Sequence, residues 1–412
     1  MINIKKIIGQ SEGFFYLAIL SYYEIEYRLL KIIPAQKENS VLIMRLDAIG
    51  DFIIWLDSAK EYKKHFPNKR LILLCNEACA EIAKNLPYFD EIIAINKNKF
   101  LRNIIYRLKV IGNLKKREFE QIINTVYSRD FFVPDTLIHN LRASKKVGYD
   151  GDYQITRSTL SGFGINNEKY TRFLKHKANN RYSELINASP EPLHELMRNA
   201  EFIRGCLDPT FQSQLPVFPF PIPLSDKAPD RDYIVFFIGA ATLRRVWNIS
   251  NYSEVIKEIN PNYEIILCGG KEDEPLYEEF LKINTGNRIV TNLIGKTTLP
   301  ELFSIIQYAK FIITNETSAS HITVAVRTPS VCILSGAHYG RFQPYVVESL
   351  KEYEKKYLPK TAEYFMDCYY CNHVCKFIPD KNTTYPCIAK ISPQLVVEKI
   401  KEIENDNADF QF

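Results

Sequence analysis

The chain has 412 residues, of which 46% are hydrophobic and 25% are charged, and its formal net charge is +5. That balance is typical of a globular protein, and the length exceeds one ordinary hydrophobic core, so we expect two domains. The mild positive charge gives no general affinity for nucleic acid, and we therefore expect no nucleic-acid partner.

Residues 1–40 form an N-terminal extension that contains an apolar run from Gly13 to Tyr23. The run is too short to span a bilayer, Glu24 and Glu26 follow it closely, and no secretory signal is evident. Two interpretations stay open: an amphipathic helix that contacts the inner face of the inner membrane, or a leading helix packed on the body of the protein. Without an export signal, we expect a cytoplasmic protein.

From residue 41 onward, short apolar stretches alternate with segments of helical periodicity. The predicted strands are "VLIMRL", "RLILLCN", "EIIAIN" and "FEQIINTVY", and the helices between them include "FIIWLDSAKEYKKHFP" and "EACAEIAKNLPYF". This βαβ alternation predicts a parallel sheet with helices on both faces.

Five prolines within the 17 residues "QLPVFPFPIPLSDKAPD" interrupt the alternation and predict a linker. Strands then resume with "DYIVFFIGA", "YEIILCGG", "FIITNE" and "PSVCILSG". We therefore predict an α/β protein whose two Rossmann-like domains face a central cleft, with ligands beyond the carboxyl ends of the strands. The predicted bounds are 1–40 for the N-terminal helical extension, 41–215 for the first domain, 216–231 for the linker, 232–392 for the second domain and 393–412 for a C-terminal helix and tail.

The first polar cluster is "RLDAIGD", directly after the first core strand. Gly50 permits a tight turn, and Asp51 then lies at or beside a helix N-terminus, where the helix dipole favours an ionised carboxylate. Such a carboxylate suits a general base that takes a proton from a hydroxyl group. In the alternative interpretation Asp51 merely caps the helix. Asp47 is the competing carboxylate, and Arg45 is placed to orient either one.

The second cluster follows the strand "FIITNE", where Thr317, Ser318 and Ser320 open a helix and His321 lies in its first turn. Free backbone N–H groups with hydroxyls beside them suit a diphosphate. The alternative is an ordinary Ser/Thr helix cap with a surface histidine.

The third cluster follows the first strand of the second domain, where Arg244 and Arg245 stand in the loop. Two arginines at the carboxyl end of a strand suit a phosphate-rich ligand, although they could equally be solvated loop charges. The later turn "CGGKEDEP" offers Glu272 and Asp273, and a carboxylate there could bind ribose hydroxyls.

These stretches resemble glycosyltransferase family 9, the ADP-heptose:lipopolysaccharide heptosyltransferases. The resemblance rests on "RLDAIGD", on "NETSASHITVAVRTPSVCILSG" and on "ASKKVGYD" between them, and it extends over roughly residues 41–400. It implies a GT-B arrangement and an inverting reaction that needs no metal or other cofactor. It also implies transfer of a heptose or related sugar from a nucleotide sugar, ADP-heptose foremost, to a lipopolysaccharide core or another surface glycan of the bacterial cell envelope.

The resemblance also implies roles for individual residues. Asp51 would be the general base, and Arg245 would neutralise the donor diphosphate. Four positions match the nucleotide-sugar motif: Glu316, Thr317, Ser318 and His321. The chain departs from the family where Glu316 replaces Asp, Ser318 replaces Gly and "WN" replaces "WP", so the donor identity stays open. Two other functions stay open too: a GT-B-like nucleotide-sugar 2-epimerase and a noncatalytic nucleotide-sugar binding protein.

In this family the first domain faces the acceptor. The resemblance therefore implies a glycolipid or oligosaccharide partner for that domain. Residues 97–120 hold eight Lys or Arg and two Glu, which could steer a phosphorylated lipid or the anionic leaflet, or could form a solvated basic helix. Arg129 follows the end of the predicted strand "FEQIINTVY" and joins Arg45 and Asp47 as an acceptor-side candidate.

Four of the nine cysteines are clustered with the spacing C-x2-C-x3-C-x11-C: Cys368, Cys371, Cys375 and Cys387. Soft ligands at this spacing suit a structural zinc ion, with free thiols or an exposed redox pair as the alternatives. We expect no catalytic role for them. The other five cysteines lie in apolar settings and are predicted to be buried free thiols.

Overall fold

A computed structural model describes residues 4–283, 288–377 and 383–408. The chain forms two compact units. The first comprises Met1–Ala48, Ser58–Pro190 and Arg198–Phe211, and the second comprises Ile49–Asp57, Glu191–Met197 and Gln212–Phe412. The predicted domain bounds remain a prediction, and their outermost parts, 1–3 and 409–412, lie outside the described residues.

The first unit is built on a parallel sheet of seven strands. The strands are β1 (Gln36–Lys37), β2 (Ser40–Arg45), β3 (Arg70–Asn76), β4 (Glu91–Ile95), β5 (Arg117–Asn124), β6 (Arg142–Asp150) and β7 (Glu184–Asn187). Their order is β4-β3-β2-β5-β6-β7, and β1 pairs with β5. Ile43 of β2 pairs with Leu73 of β3 and Ile123 of β5, and every residue of β2 is buried, as expected for a sheet covered on both faces.

Nine helices accompany this sheet in the described part of the chain. They are α1 (Ile4–Leu30), α2 (Ile49–His65), α3 (Ala80–Ala83), α4 (Lys97–Arg102), α5 (Ile104–Lys115), α6 (Thr136–Asn140), α7 (Gln154–Gly162), α8 (Glu168–Asn179) and α9 (Glu195–Cys206). The side chains of Asn96 and Asn103 cap α4 and α5 by accepting from backbone N–H groups of the first turn. The helices α2 and α9 each have residues in both units.

The second unit repeats the same plan with a parallel sheet of six strands. The strands are β8 (Tyr233–Phe237), β9 (Glu264–Cys268), β10 (Val290–Asn292), β11 (Ile312–Asn315), β12 (Ser330–Leu334) and β13 (Lys360–Glu363). Its helices are α10 (Ile249–Glu258), α11 (Glu274–Phe280), α12 (Leu299–Gln307), α13 (Ser318–Val326), α14 (Pro386–Ala389) and α15 (Pro393–Ala408). The strand order is β10-β9-β8-β11-β12-β13.

The strand order reverses between β2 and β5 in the first sheet and between β8 and β11 in the second sheet. In open parallel sheets, ligands bind beyond the carboxyl ends of the strands at this switch point. The prediction of an α/β protein with two Rossmann-like sheets is therefore confirmed, and the switch points indicate where to look for a site.

The N-terminal helix α1 packs its inner face on the first unit. The ring of Tyr16 lies 4.4 Å from that of Tyr170, and buried Glu26 pairs with buried Arg107. Its outer face exposes large apolar side chains, among them Phe14 and Leu17. No helix in the described ranges is long and apolar enough to cross a bilayer.

Several segments differ in detail from the sequence-based expectations. The strands β1, β6, β7 and β13 were not predicted. In β6, Arg142, Lys145 and Lys146 disturb the apolar pattern. The proline-rich stretch contains neither helix nor strand, as expected for a linker. However, it buries Leu215 and Phe218, so it packs on the second unit.

Candidate active site

The side chain of Asn315 organises the switch point of the second sheet. This fully buried residue ends β11, and its amide nitrogen donates to the carbonyl oxygens of Ile238 and Gly239, each at 3.0 Å. Its amide oxygen accepts from the backbone N–H of Trp247 at 3.1 Å. One side chain therefore joins the end of β11 to the end of β8 and to the loop that carries Arg245.

Arg245 and Glu316 meet at this edge of the sheet. The guanidinium of Arg245 donates to the backbone carbonyl of Glu316 and lies 3.6 Å from its carboxylate, which also accepts from Ser335 Oγ at 2.7 Å. Burial raises the pKa of Glu316, while Arg245 and Ser335 act in the opposite direction. Arg245 is thus held in place beside the strand end by a backbone oxygen.

The helix α13 begins directly after this pair. Thr317 is its N-cap and accepts from the backbone N–H of Ala319 at 3.3 Å, and Ser320 Oγ donates to the Thr317 carbonyl at 2.8 Å. The N-terminus of a helix carries a partial positive charge and unpaired N–H groups. This end of α13, nine residues long, therefore suits an anion.

The first turn of α2 approaches the first turn of α13 within the second unit. A methyl group added at Gly50 would lie 3.0 Å from His321 Cδ2 and 3.6 Å from the Cα atom of Ser318. Only glycine fits such an approach without displacing His321. Asp51 is the next residue of α2, so the predicted base stands on a helix turn packed against the predicted nucleotide-sugar motif.

Burial lowers the pKa of His321 to about 3, with smaller contributions from the nearby His194 and Arg245. The ring is therefore neutral at physiological pH. Its Nδ1 atom lies 2.9 Å from the hydroxyl of Tyr345. The alternative of a solvent-exposed surface histidine does not fit this burial.

Two other predicted donor-side residues have different surroundings. The guanidinium of Arg244 lies 6.0 Å from the ring of Tyr385, so the two adjacent arginines contact different groups. Glu272 is exposed in a short turn, whereas the carboxylate of Asp273 accepts from Gly270 N–H at 3.0 Å and packs against Gly239. Of the two carboxylates in this turn, Asp273 is the one at the carboxyl end of β8.

The acceptor-side candidates lie at the carboxyl ends of strands in the first unit. Arg45 is 0% exposed, and its guanidinium binds Asp47 Oδ2 at 3.0 Å and Asn199 Oδ1 at 3.2 Å. Arg45 therefore orients Asp47. Arg129 is also 0% exposed and donates to both carboxylate oxygens of Asp135 at 3.1 Å, so its burial does not fit direct contact with an acceptor.

The four clustered cysteines are free thiols. Burial raises the pKa of Cys371 and of Cys387, and charges on neighbouring cysteines of the cluster contribute to both shifts. Among the described residues, no group of three or more His, Cys, Asp or Glu side chains is arranged to hold a metal ion. The zinc site that the spacing suggested stays a prediction.

Two residues of this site were not singled out from the sequence. Asn315 is the first letter of the quoted motif "NETSASH", so the signal was present but was interpreted only as a strand end. Tyr345 lies 24 positions after His321, and no local pattern links the two residues.

The chain is similar to a known protein family and to individual members of it. The family model of glycosyltransferase family 9 (heptosyltransferase) matches residues 107–356, more than half of the sequence. Lipopolysaccharide heptosyltransferase 3 of Escherichia coli is 21% identical over 305 residues, which cover 72% of this chain and 83% of that relative.

Solved structures of the same kind are similar in fold. E. coli ADP-heptose lps heptosyltransferase II has a TM-score of 0.60 at 16% identity, covering 90% of this chain and 99% of that chain. E. coli heptosyltransferase WaaC with ADP-2-deoxy-2-fluoro heptose has a TM-score of 0.60 at 17% identity, covering 89% and 99%. The likeness agrees with the predicted GT-B-like plan of two Rossmann-like domains.

Proposed function

Because the chain belongs to glycosyltransferase family 9 (heptosyltransferase), and is therefore a glycosyltransferase, we propose that it transfers a heptose from ADP-heptose to a lipopolysaccharide core. A related nucleotide sugar or another surface glycan would fit the same chemistry. The E. coli relative named for lipopolysaccharide heptose transfer and the WaaC structure with an ADP-heptose analogue support this choice. The comparisons do not favour a nucleotide-sugar 2-epimerase.

One observation carries the proposal: the N-terminal turns of α2 and α13 pack together at Gly50 and His321, next to the Arg245–Glu316 pair. A carboxylate, an arginine and two positively polarised helix ends are thus gathered in one unit. That set suits a reaction that removes a proton from a hydroxyl and releases a diphosphate.

In the proposed reaction, Asp51 takes the proton of the acceptor hydroxyl as its oxygen attacks the anomeric carbon of the sugar. The new carbon–oxygen bond forms on the face opposite the leaving group, so the configuration inverts. The bond between the anomeric carbon and the diphosphate oxygen breaks, and its electron pair stays on the diphosphate. Arg245 and the N–H groups at the start of α13 stabilise that growing negative charge.

Glu316, Thr317 and Ser318 support the donor in this proposal by different means. Glu316 holds Arg245 through its backbone carbonyl, and Thr317 fixes the first turn of α13. Ser318, where the family has glycine, brings its hydroxyl to the same turn. No step of the proposed reaction uses the cysteines or a metal ion.

A glycolipid acceptor implies work at a membrane surface, and we propose peripheral contact of the first unit with the cytoplasmic leaflet. Exposed Ile104 and Ile105 begin α5, and the guanidinium of Arg107 one turn later lies 5.8 Å from the ring of Tyr22 on α1. The start of α5 therefore adjoins α1 and its exposed apolar face. Three exposed cations flank this region: Lys99, Arg102 and Lys109. Apolar side chains with flanking cations suit an anionic bilayer.

The test of the reaction combines a binding and a transfer measurement on the full chain. We expect ADP and ADP-heptose to raise the melting temperature more than UDP, GDP, CMP or dTDP do, because a ligand that binds the folded state stabilises it. We expect Asp51→Asn to reduce transfer to a core-oligosaccharide acceptor by about 10²- to 10⁴-fold while preserving the ADP-induced thermal shift.

The matched control for this experiment is Asp47→Asn, which removes the other carboxylate of "RLDAIGD". If Asp47→Asn abolishes transfer and Asp51→Asn does not, the base is Asp47. Stabilisation by a different nucleotide would change the donor. Conversion of the free nucleotide sugar without an acceptor would identify an epimerase, and donor binding without turnover on any acceptor would identify a noncatalytic protein.

A further inference from the structure

Tyr345 lies in the loop after β12, and no motif of the sequence involves it. Its hydroxyl lies 2.9 Å from Nδ1 of His321, and its ring packs 4.8 Å from that of His194. We propose that Tyr345 is a positioning residue: its hydroxyl donates to Nδ1 of His321 and so keeps the His321 proton on Nε2. The assignment of the tautomer does not depend on the proposed function, whereas the expected effect of Tyr345 on sugar transfer does.

The direction of the Tyr345–His321 hydrogen bond follows from the protonation of the two side chains. Burial lowers the pKa of His321 to about 3, so the neutral ring carries a single N–H. Burial also raises the pKa of Tyr345 well above its ordinary value, so the phenol keeps its proton and needs an acceptor. Nδ1 of His321 is that acceptor, and the imidazole proton must then be on Nε2.

The Nε2 atom of His321 faces the first turn of α2. A methyl group added at Gly50 would lie 3.8 Å from Nε2 and 3.0 Å from the adjacent Cδ2. A donor N–H is therefore presented beside Asp51, at the place where the reacting groups meet in the proposed function. We assign it a hydrogen bond to the donor diphosphate, whose negative charge grows as the sugar leaves.

His194 holds Tyr345 in position from the other side. Its Nδ1 accepts from the backbone N–H of Leu196 at 3.1 Å, so its proton is on Nε2, which donates to the Phe342 carbonyl at 3.0 Å. The backbone N–H of Glu195 donates to the carbonyl of Arg341 at 2.8 Å. Both ring nitrogens of His194 are thus engaged, and the segment before α9 fixes the loop that carries Tyr345.

The experiment uses the full-length protein with ¹⁵N-labelled histidine. Two-bond ¹⁵N–¹H correlation spectra report the tautomer of each ring, and His321→Gln identifies the signals of His321. We expect the wild-type His321 to be protonated on Nε2 alone. In Tyr345→Phe, which removes only the hydroxyl, we expect the signals to shift towards a mixture of the two tautomers.

Transfer kinetics supply the second readout. We expect Tyr345→Phe to lower kcat about 3- to 10-fold, the loss of roughly one hydrogen bond, with a smaller change in the KM of the donor. Tyr233→Phe is the matched control, since it removes a buried tyrosine hydroxyl that donates to the Ile305 carbonyl at 2.9 Å in the same unit. We expect it to change neither the His321 tautomer nor kcat.

Either of two results overturns the proposal: a wild-type His321 that carries its proton on Nδ1, or a Tyr345→Phe variant with unchanged His321 signals and unchanged kcat. The wild-type spectrum decides the tautomer even if Tyr345→Phe does not fold. Absence of transfer from any nucleotide sugar, together with Nε2 protonation, would refute the proposed function and leave the role of Tyr345 in fixing the tautomer intact.

Discussion

At the scale of single residues, the charged and polar groups at strand ends divide by what they contact. Arg45 ends β2 and Arg129 lies in the loop after β5, yet both are fully buried and bind carboxylates inside the first unit. Arg245 stands in a comparable place in the second unit but is held by a backbone carbonyl and keeps part of its surface exposed. Accessibility therefore makes Arg245 the better partner for a ligand anion.

The residue-scale prediction concerns Asn315. We expect Asn315→Ala to lower the free energy of unfolding by about 2–3 kcal/mol, because it leaves two buried carbonyls and the Trp247 N–H without their partner. Urea unfolding measures this loss, and ADP-induced thermal shift should weaken in parallel as Arg245 loses its support.

The control for this prediction is Asn292→Ala, which removes one hydrogen bond from the N–H of Ile294, at 2.9 Å, at the partly exposed end of β10. We expect a loss below about 1 kcal/mol there. An equal effect of the two substitutions would contradict the structural importance given to Asn315.

At the scale of secondary-structure elements, α1 is unusual because two of its faces are apolar. Tyr16 and Tyr23 pack inward on the first unit, while Phe14 is 72% exposed and Leu29 is 64% exposed on the outer face. Leaving such side chains in water costs free energy that a membrane surface would recover. The outer face of α1 is therefore the surface on which the proposed membrane contact can be tested.

The element-scale prediction is a loss of vesicle binding. We expect Phe14→Glu combined with Leu17→Glu to weaken binding to phosphatidylglycerol-containing vesicles at least about tenfold, since each buried apolar side chain contributes roughly 1.5–3 kcal/mol. Flotation of the protein with vesicles measures the change. Transfer to a water-soluble acceptor should be unaffected.

Leu281→Glu is the matched control, because Leu281 is similarly exposed at the end of α11 in the second unit. It should leave vesicle binding unchanged. If the α1 variant binds vesicles normally but loses a dimer in size-exclusion chromatography, the outer face of α1 contacts a second copy of the chain instead.

At the scale of the whole molecule, neutral histidines that are buried or partly buried link stability to pH. Burial lowers the pKa of His139 and of His194 to about 4 and that of His321 to about 3, from an ordinary value of 6.5. A lowered pKa in the folded state means that the unfolded chain binds the proton first as pH falls. The folded state is therefore favoured above pH 6.5 and loses that advantage below it.

Asp130 acts in the opposite direction. Burial raises its pKa from 3.8 to about 6, so the folded chain keeps this proton between those values and the unfolded chain does not. The contribution of Asp130 to stability thus grows as pH falls from 6, and it offsets the stability that one of the histidines loses.

We therefore expect the free energy of unfolding to fall between pH 6.5 and 5, with each buried histidine contributing up to about 1.4 kcal/mol per pH unit. His139→Gln should reduce the fall by about 1–2 kcal/mol over that range, because glutamine does not titrate. Urea unfolding at pH 7.5, 6.5, 5.5 and 5.0 measures it. A profile that is the same in both proteins would contradict burial of a neutral His139.

Much of the fold was predictable because short-range patterns encode it. The stretch "RLILLCN" predicted a strand over the same seven residues that form β3, and the βαβ alternation predicted two parallel sheets. The glycine and aspartate of "RLDAIGD" and the turn before α13 also pointed to a site, since they closely follow the ends of strands. Local periodicity and turn residues carry this information within a few positions of the chain.

The tertiary structure decided which of those residues contact one another. That Arg45 binds Asn199, that Arg244 and Arg245 meet different partners, and that Tyr345 reaches His321 follow from packing between distant segments. The strand β6 likewise forms despite its charged residues because β5 and β7 pair with it on either side. The sequence by itself determined most of the elements and the family. Burial and long-range pairing determined the protonation and orientation of the site, since both depend on neighbours far away in the chain.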